Sequence, residues 1–161
     1  MARSIFASFY YDGDADRVQQ VLKMGAIEGD SLVVAQDWES VKSRTDAAIE
    51  KWIHTQMLRK NAVVVLVGSE TASRKWVEYE IRKAWDDRRP LVGIRIHGLK
   101  GLNGRTSSRG ANPFSKVTLK DGTRLDSRIT LHDPVGAAST DVYKNISDNI
   151  DSWIANAKKR A

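Results

Sequence analysis

Glu80 is the residue of this 161-residue chain whose type and position most invite chemistry. It follows Trp76 by four residues and Val77 by three, and precedes Ala84 by four. Trp76, Val77, Ile81, Ala84 and Trp85 make the apolar stripe of a helix, so Glu80 points inward with them. Glu78 and Arg82 point toward solvent. A carboxylate on the inward face is costly unless it is paired or used. Spacing alone leaves both readings open, a structural Glu80 bound to an arginine and a Glu80 that acts on a ligand.

The elements around it decide where such a group stands. Ala62-Val63-Val64-Val65-Leu66-Val67 is a short β-branched run ending at Gly68, the pattern of a strand buried on both faces of a parallel sheet. Ser69 to Ser73 is a polar turn whose hydroxyls suit a helix N-cap. Glu80 is therefore expected one turn into a helix that leaves the C-terminal edge of a strand, where open α/β sheets bind their ligands.

The rest of the chain repeats the alternation. Ser4–Phe9 reads as the first strand, followed by a turn and a helix carrying Val18, Val21 and Leu22, capped by Asp12 or Asp14. Ser31–Ala35 reads as the second strand, and Gln36-Asp37-Trp38-Glu39-Ser40 as a polar loop after it. A helix is expected from about Thr45 to Arg59, with Ile49, Trp52, Ile53 and Met57 inward. Leu91–Ile96 reads as the fourth strand and Ile129–His132 as the fifth. A helix from about Asp141 to Lys158 closes the chain, with Lys158-Lys159-Arg160 at its C-terminus. This is the pattern of a doubly wound, flavodoxin-like α/β domain, a mainly parallel five-stranded sheet with helices on both faces. One domain over residues 1–161 is expected, with a core at about 4–99, a basic loop and hairpin at 100–128, and the last strand and helix at 129–158. The four glycines of the stretch from His97 to Asn112 predict a mobile loop at the ligand-bearing edge. Asp121-Gly122 predicts the turn of a small hairpin.

Composition removes several classes. Net charge is +6 and there are no cysteines, so disulfides and thiolate sites are out. No apolar run reaches the roughly 20 residues that span a bilayer, and with no signal peptide visible a cytoplasmic protein is expected. The segment from Arg82 to Arg128 holds twelve Lys/Arg against four Asp/Glu. Such a segment could face phosphates or an acidic partner. Solvated loops are the plainer account, and aromatic residues do not interleave with it as single-strand nucleic-acid binding would want. The usual phosphate-binding glycine loops and the nucleophile elbow are absent. His54, His97 and His132 lack metal-ligand spacing, so no metal is expected.

Two stretches resemble the TIR-like domains of bacterial Thoeris anti-phage defence. They are Ile5-Phe6-Ala7-Ser8-Phe9-Tyr10-Tyr11-Asp12 and the strand–turn–helix from Val64 to Ile81 with its Trp76-Val77-x-x-Glu80-Ile81 unit. The match continues through Leu91 to Gly98 and covers roughly Ser4 to Leu99. The resemblance implies a TIR-like fold and NAD as substrate, with no further cofactor. It implies that Glu80 is the catalytic glutamate, that Trp76 lies beside it, and that Phe9, Tyr10, Gly68, Ser69 and Thr71 line the nucleotide pocket. Asp37 and Trp38 would start the covering loop. It further implies a nicotinamide-releasing enzyme that makes a cyclic ADP-ribose signal for a separate effector protein, and a possible homo-oligomer. The alternative is a non-catalytic TIR-like interaction module in which Glu80 is structural.

Overall fold

The computed structural model describes residues 3–27, 41 and 43–161. Four strands form one sheet in the order β1-β2-β3-β4, where β1 is Ile5–Ser8, β2 Ala62–Val67, β3 Leu91–Arg95 and β4 Leu131–His132. Every pairing is parallel. Parallel strands need crossover connections: α1 (Tyr11–Leu22) and α2 (Asp46–Met57) lie between β1 and β2, α3 (Lys75–Asp86) joins β2 to β3, a long segment with only two short 3-10 turns joins β3 to β4, and α4 (Ser139–Ala155) follows the last strand. The expected strand Ser31–Ala35 lies outside the described residues, so the sheet has four strands among those described rather than the five anticipated.

Alternation along the strands splits the core in two. Ile5, Ala7, Val64, Leu66, Val92 and Ile94 face α1 and α4. Phe6, Val63, Val65, Val67 and Leu91 face α2 and α3. β2 lies between β1 and β3 and is buried along its whole length, which is why its sequence is an unbroken apolar run. Glu80 belongs to the second face, and Ser8, two residues after Phe6, shares it.

Several local expectations are corrected. Helix α1 starts at Tyr11 with Tyr10 as a cap that makes no side-chain bond, so Asp12 and Asp14 lie inside its first turn instead of capping it. Helix α3 likewise begins without a hydroxyl cap, because Thr71 and Ser73 are engaged in the preceding turn. The last helix stops at Ala155. Beyond it Lys158 pairs with Leu91 through Leu91 N–H to Lys158 O at 2.7 Å, so the basic tail lies along the sheet and not at a helix end. The hairpin at 116–125 is reduced to one antiparallel bridge, Thr118 with Arg124, with Gly122 at φ +87° in its turn.

The loop from His97 to Asn112 departs most from expectation. It is irregular but tied down. The Arg17 guanidinium donates to Leu99 O at 2.8 Å and Arg105 O at 3.0 Å, and Gln20 donates to Lys100 O. The Asp16 carboxylate accepts from Leu102 N, and Arg95 donates to Gly110 O. Gly110 lies flat against the backbone of Gly68 and Ser69, an approach that leaves no room for a Cβ.

Candidate functional site

The apolar stripe of α3 carries Glu80 to the C-terminal end of β1. There the Ser8 hydroxyl donates to Glu80 Oε1 at 2.5 Å. Both side chains are buried, Ser8 completely and Glu80 to 7% exposure. Among the described residues no arginine meets the carboxylate. Burial pushes the Glu80 carboxyl up to about 8, and the Ser8 hydrogen bond, which favours the charged form, opposes only part of that rise. Of the two accounts that spacing left open, the arginine-paired one therefore does not hold. Glu80 is a desolvated acid whose donor among the described residues is the neutral Ser8 hydroxyl.

An open pocket of about 230 Å³ lies just outside this pair. Phe9, Tyr10, Tyr11, Asp12, Arg74, Lys75, Trp76 and Val77 line it. Phe9 and Tyr10 follow Ser8 directly, while Val77 and Trp76 precede Glu80 by three and four residues on the same helix face, so pocket and carboxylate share both walls. Arg74 lies over the Tyr10 ring at 3.7 Å, and Lys75 Nζ lies 4.8 Å from the Trp76 centroid. Tyr79 meets Trp76 edge-on at 5.5 Å. The aromatic faces here already accept cations.

The structure thus brings Phe9, Tyr10 and Trp76 together near Glu80. It places Gly68, Ser69 and Thr71 elsewhere. Thr71 is fully buried, and its Oγ1 accepts from Gly68 N–H at 2.8 Å, closing the turn after β2. Gly68 touches the Asp14 carboxylate, and Gly110 lies against Gly68 and Ser69. None of the three lines the aromatic pocket. Asp37 and Trp38 lie outside the described residues.

Sequence reasoning missed Ser8, although a signal existed: it is the polar residue inside an otherwise apolar strand, at its C-terminal end. It also took Asp14 for a cap. Asp14 instead forms a buried ion pair with Arg17 at 3.3 Å. Burial raises the Asp14 carboxyl, and Arg17 pulls it back. Arg17 then holds the loop after β3 through main-chain carbonyls, so the pair fastens that loop to α1. Among the described residues no group of three or more His, Asp or Glu is arranged to hold a metal.

Fold and site together define a doubly wound α/β domain with a desolvated carboxylate and an aromatic pocket at the C-terminal edge of its sheet. Comparison with known proteins narrows this. The family described as Thoeris protein ThsB, TIR-like domain, matches residues 6–101. A protein of Bacillus cereus (strain MSX-D12), provisionally named cyclic ADP-D-ribose synthase ThsB1, is 32% identical over 134 residues, covering 78% of this chain and 69% of the relative. The chain belongs to the ThsB TIR-like family.

Proposed function

We propose that this chain cleaves NAD, releases nicotinamide and forms a cyclic ADP-ribose product, with Glu80 as the catalytic residue. The observation that carries the proposal is the buried Ser8–Glu80 pair behind the Phe9–Tyr10–Trp76 pocket. The name of the Bacillus cereus relative supports the choice of reaction.

The geometry suits that chemistry. At about 230 Å³ the pocket is smaller than the roughly 300–1,000 Å³ typical of drug-sized ligands, so it takes one end of a dinucleotide. Its aromatic walls match a flat cationic nicotinamide ring. When the bond between the ribose C1′ and the nicotinamide nitrogen breaks, both electrons leave with nicotinamide, which departs neutral. The ribose is left as an oxocarbenium ion, as in glycoside hydrolysis. A carboxylate beside it stabilises that charge, most strongly where water is excluded. Water attacking C1′ gives linear ADP-ribose and a proton. A nucleophilic atom of the same ADP-ribose unit attacking C1′ closes a ring, also with loss of a proton.

The high Glu80 pKa fits this sequence of events. In the free protein near pH 7 most molecules carry Glu80 protonated and neutral. A cationic nicotinamide entering the pocket favours the ionised form and draws the proton off to solvent. The charge that stabilises the transition state is then generated by the substrate it serves. The product acts on a separate effector protein, and self-association completes the part of the dinucleotide site that this small pocket leaves open. Incubating the purified chain with NAD and separating products by chromatography tests the proposal: nicotinamide with a cyclic nucleotide is expected, and intact NAD at pH 8 under assembly-promoting concentrations would contradict it.

A further inference from the structure

A second cleft, larger than the one beside Glu80, lies away from it. It opens at the far end of α3, at the N-terminal edge of the sheet, with about 400 Å³ of space. Trp85, Val117 and Leu119 form its apolar floor. Trp85 and Val117 belong to the core, at 8% and 2% exposure, so the floor is rigid.

Four cations stand around it: Arg82, Lys120, Arg128 and Arg160. They come from three separate parts of the chain, the end of α3, the bridged turn at 118–124 with its following residues, and the tail beyond α4. Two carboxylates, Asp86 and Asp121, also line the cleft, leaving an excess of two positive charges. The internal pairing is incomplete. Arg128 meets Asp121 at 2.9 Å, with both half exposed. Arg82 reaches Glu78 at 3.8 Å and no other carboxylate among the described residues. Arg160 donates to the Asp86 main-chain oxygen at 3.1 Å, and its buried Nε has no partner among the described residues. Lys120 forms no ion pair among those residues.

We propose that this cleft binds a small phosphate monoester with a flat or apolar body. A phosphate monoester carries about −1.5 to −2 charge near pH 7, which matches the excess of the rim. Its oxygens match the forked donors of arginine. The body covers Trp85, Val117 and Leu119, which accounts for an apolar floor under a basic rim. Inorganic phosphate has nothing to place there. The basic segment from Arg82 to Arg128, which the NAD chemistry does not use, gains a role as part of this rim.

The site is independent of the Glu80 pocket, since the two lie at opposite ends of α3. Phenyl phosphate is the probe, titrated calorimetrically into the full chain beside inorganic phosphate and phenol. Phenyl phosphate is expected to bind at least ten-fold tighter than either, with affinity falling as salt is raised. Arg128→Gln with Arg160→Gln should weaken it at least ten-fold, and Lys120→Gln, which breaks no internal bond, should weaken it several-fold with an unchanged melting temperature. Glu80→Gln should leave it unaltered. Equal affinity for inorganic phosphate, no saturable heat, or full binding by both the Lys120 and the double-arginine variants would overturn the assignment. So would tighter binding of a single-stranded oligonucleotide that the same substitutions weaken, which would make the patch a nucleic-acid surface.

Discussion

The Ser8 hydroxyl donates to the Glu80 carboxylate at 2.5 Å and so ties the C-terminal end of β1 to the second turn of α3. One bond joins the two elements that form the walls of the aromatic pocket. It also sets the charge of the residue behind that pocket, since it is the interaction that lowers the Glu80 pKa against a larger upward push from burial.

Ser8→Ala should therefore act through protonation. Without the donor, burial acts unopposed and Glu80 titrates above about 8. With Glu80 in its proposed role the ionised carboxylate is the active form, so kcat/KM for nicotinamide release should climb with pH and level off above the Glu80 pKa. In Ser8→Ala that rising limb moves to higher pH, and the rate at pH 7 drops by about ten-fold, the effect of one pKa unit. A uniform loss at all pH values would show that Ser8 matters only for shape.

Glu80 also makes stability depend on pH. Its folded pKa, about 8, lies above the ordinary glutamate value of 4.5. The folded state therefore holds a proton that the unfolded state releases between these values. Stability is complete below about pH 4.5 and declines as pH rises toward 8, by an amount approaching about 5 kcal/mol in the limit. Glu80→Gln keeps the hydrogen bond to Ser8 possible and removes the titration. Urea unfolding at pH 5 and pH 8 should show the variant gaining on the wild type at the higher pH.

Trp76→Ala should act on binding. The indole is half-buried, held edge-on by Tyr79, and already carries the Lys75 ammonium at 4.8 Å. A cationic ring placed there gains about 1–2 kcal/mol, so KM for NAD should rise about 5- to 30-fold. Steady-state kinetics at a pH above the Glu80 limb, where protonation does not interfere, would check this.

Gly68→Ala should be a folding defect. A Cβ at Gly68 would overlap the Asp14 carboxylate, which is held by Arg17. Moving Asp14 loosens the pair that fastens the loop after β3 through Leu99 O and Arg105 O. A loss of about 1–3 kcal/mol is expected from overpacking alone, read as a lower urea midpoint.

Much of this was legible in the residues. The β2 run and the stripe of α3 follow from period, because one element is buried on both faces and the other on one. The inward position of Glu80 follows from the same stripe. Its partner did not, because Ser8 lies 72 residues away and only the parallel pairing of β1 with β2 brings it under α3. The Asp14–Arg17 pair is local, three residues apart, and was missed for another reason: an aspartate in a helix's first turn looks like a cap until Gly68 is seen against it. The loop after β3 looked mobile from its glycines. What holds it is Arg17, Asp16 and Gln20 on α1 together with Arg95 on β3, and no local pattern reveals a contact with a distant helix. Gly110 in that loop is small because it crosses the Gly68–Ser69 backbone, not because the chain must flex there.

Glu80 is the group proposed to cleave NAD. The direct measurement is the rate of nicotinamide release from NAD by the wild type and by Glu80→Gln at pH 8, with unfolding curves for both. Release by the wild type and a loss of at least a hundred-fold in a variant that remains folded is the predicted result. Equal release by the two folded proteins would contradict it.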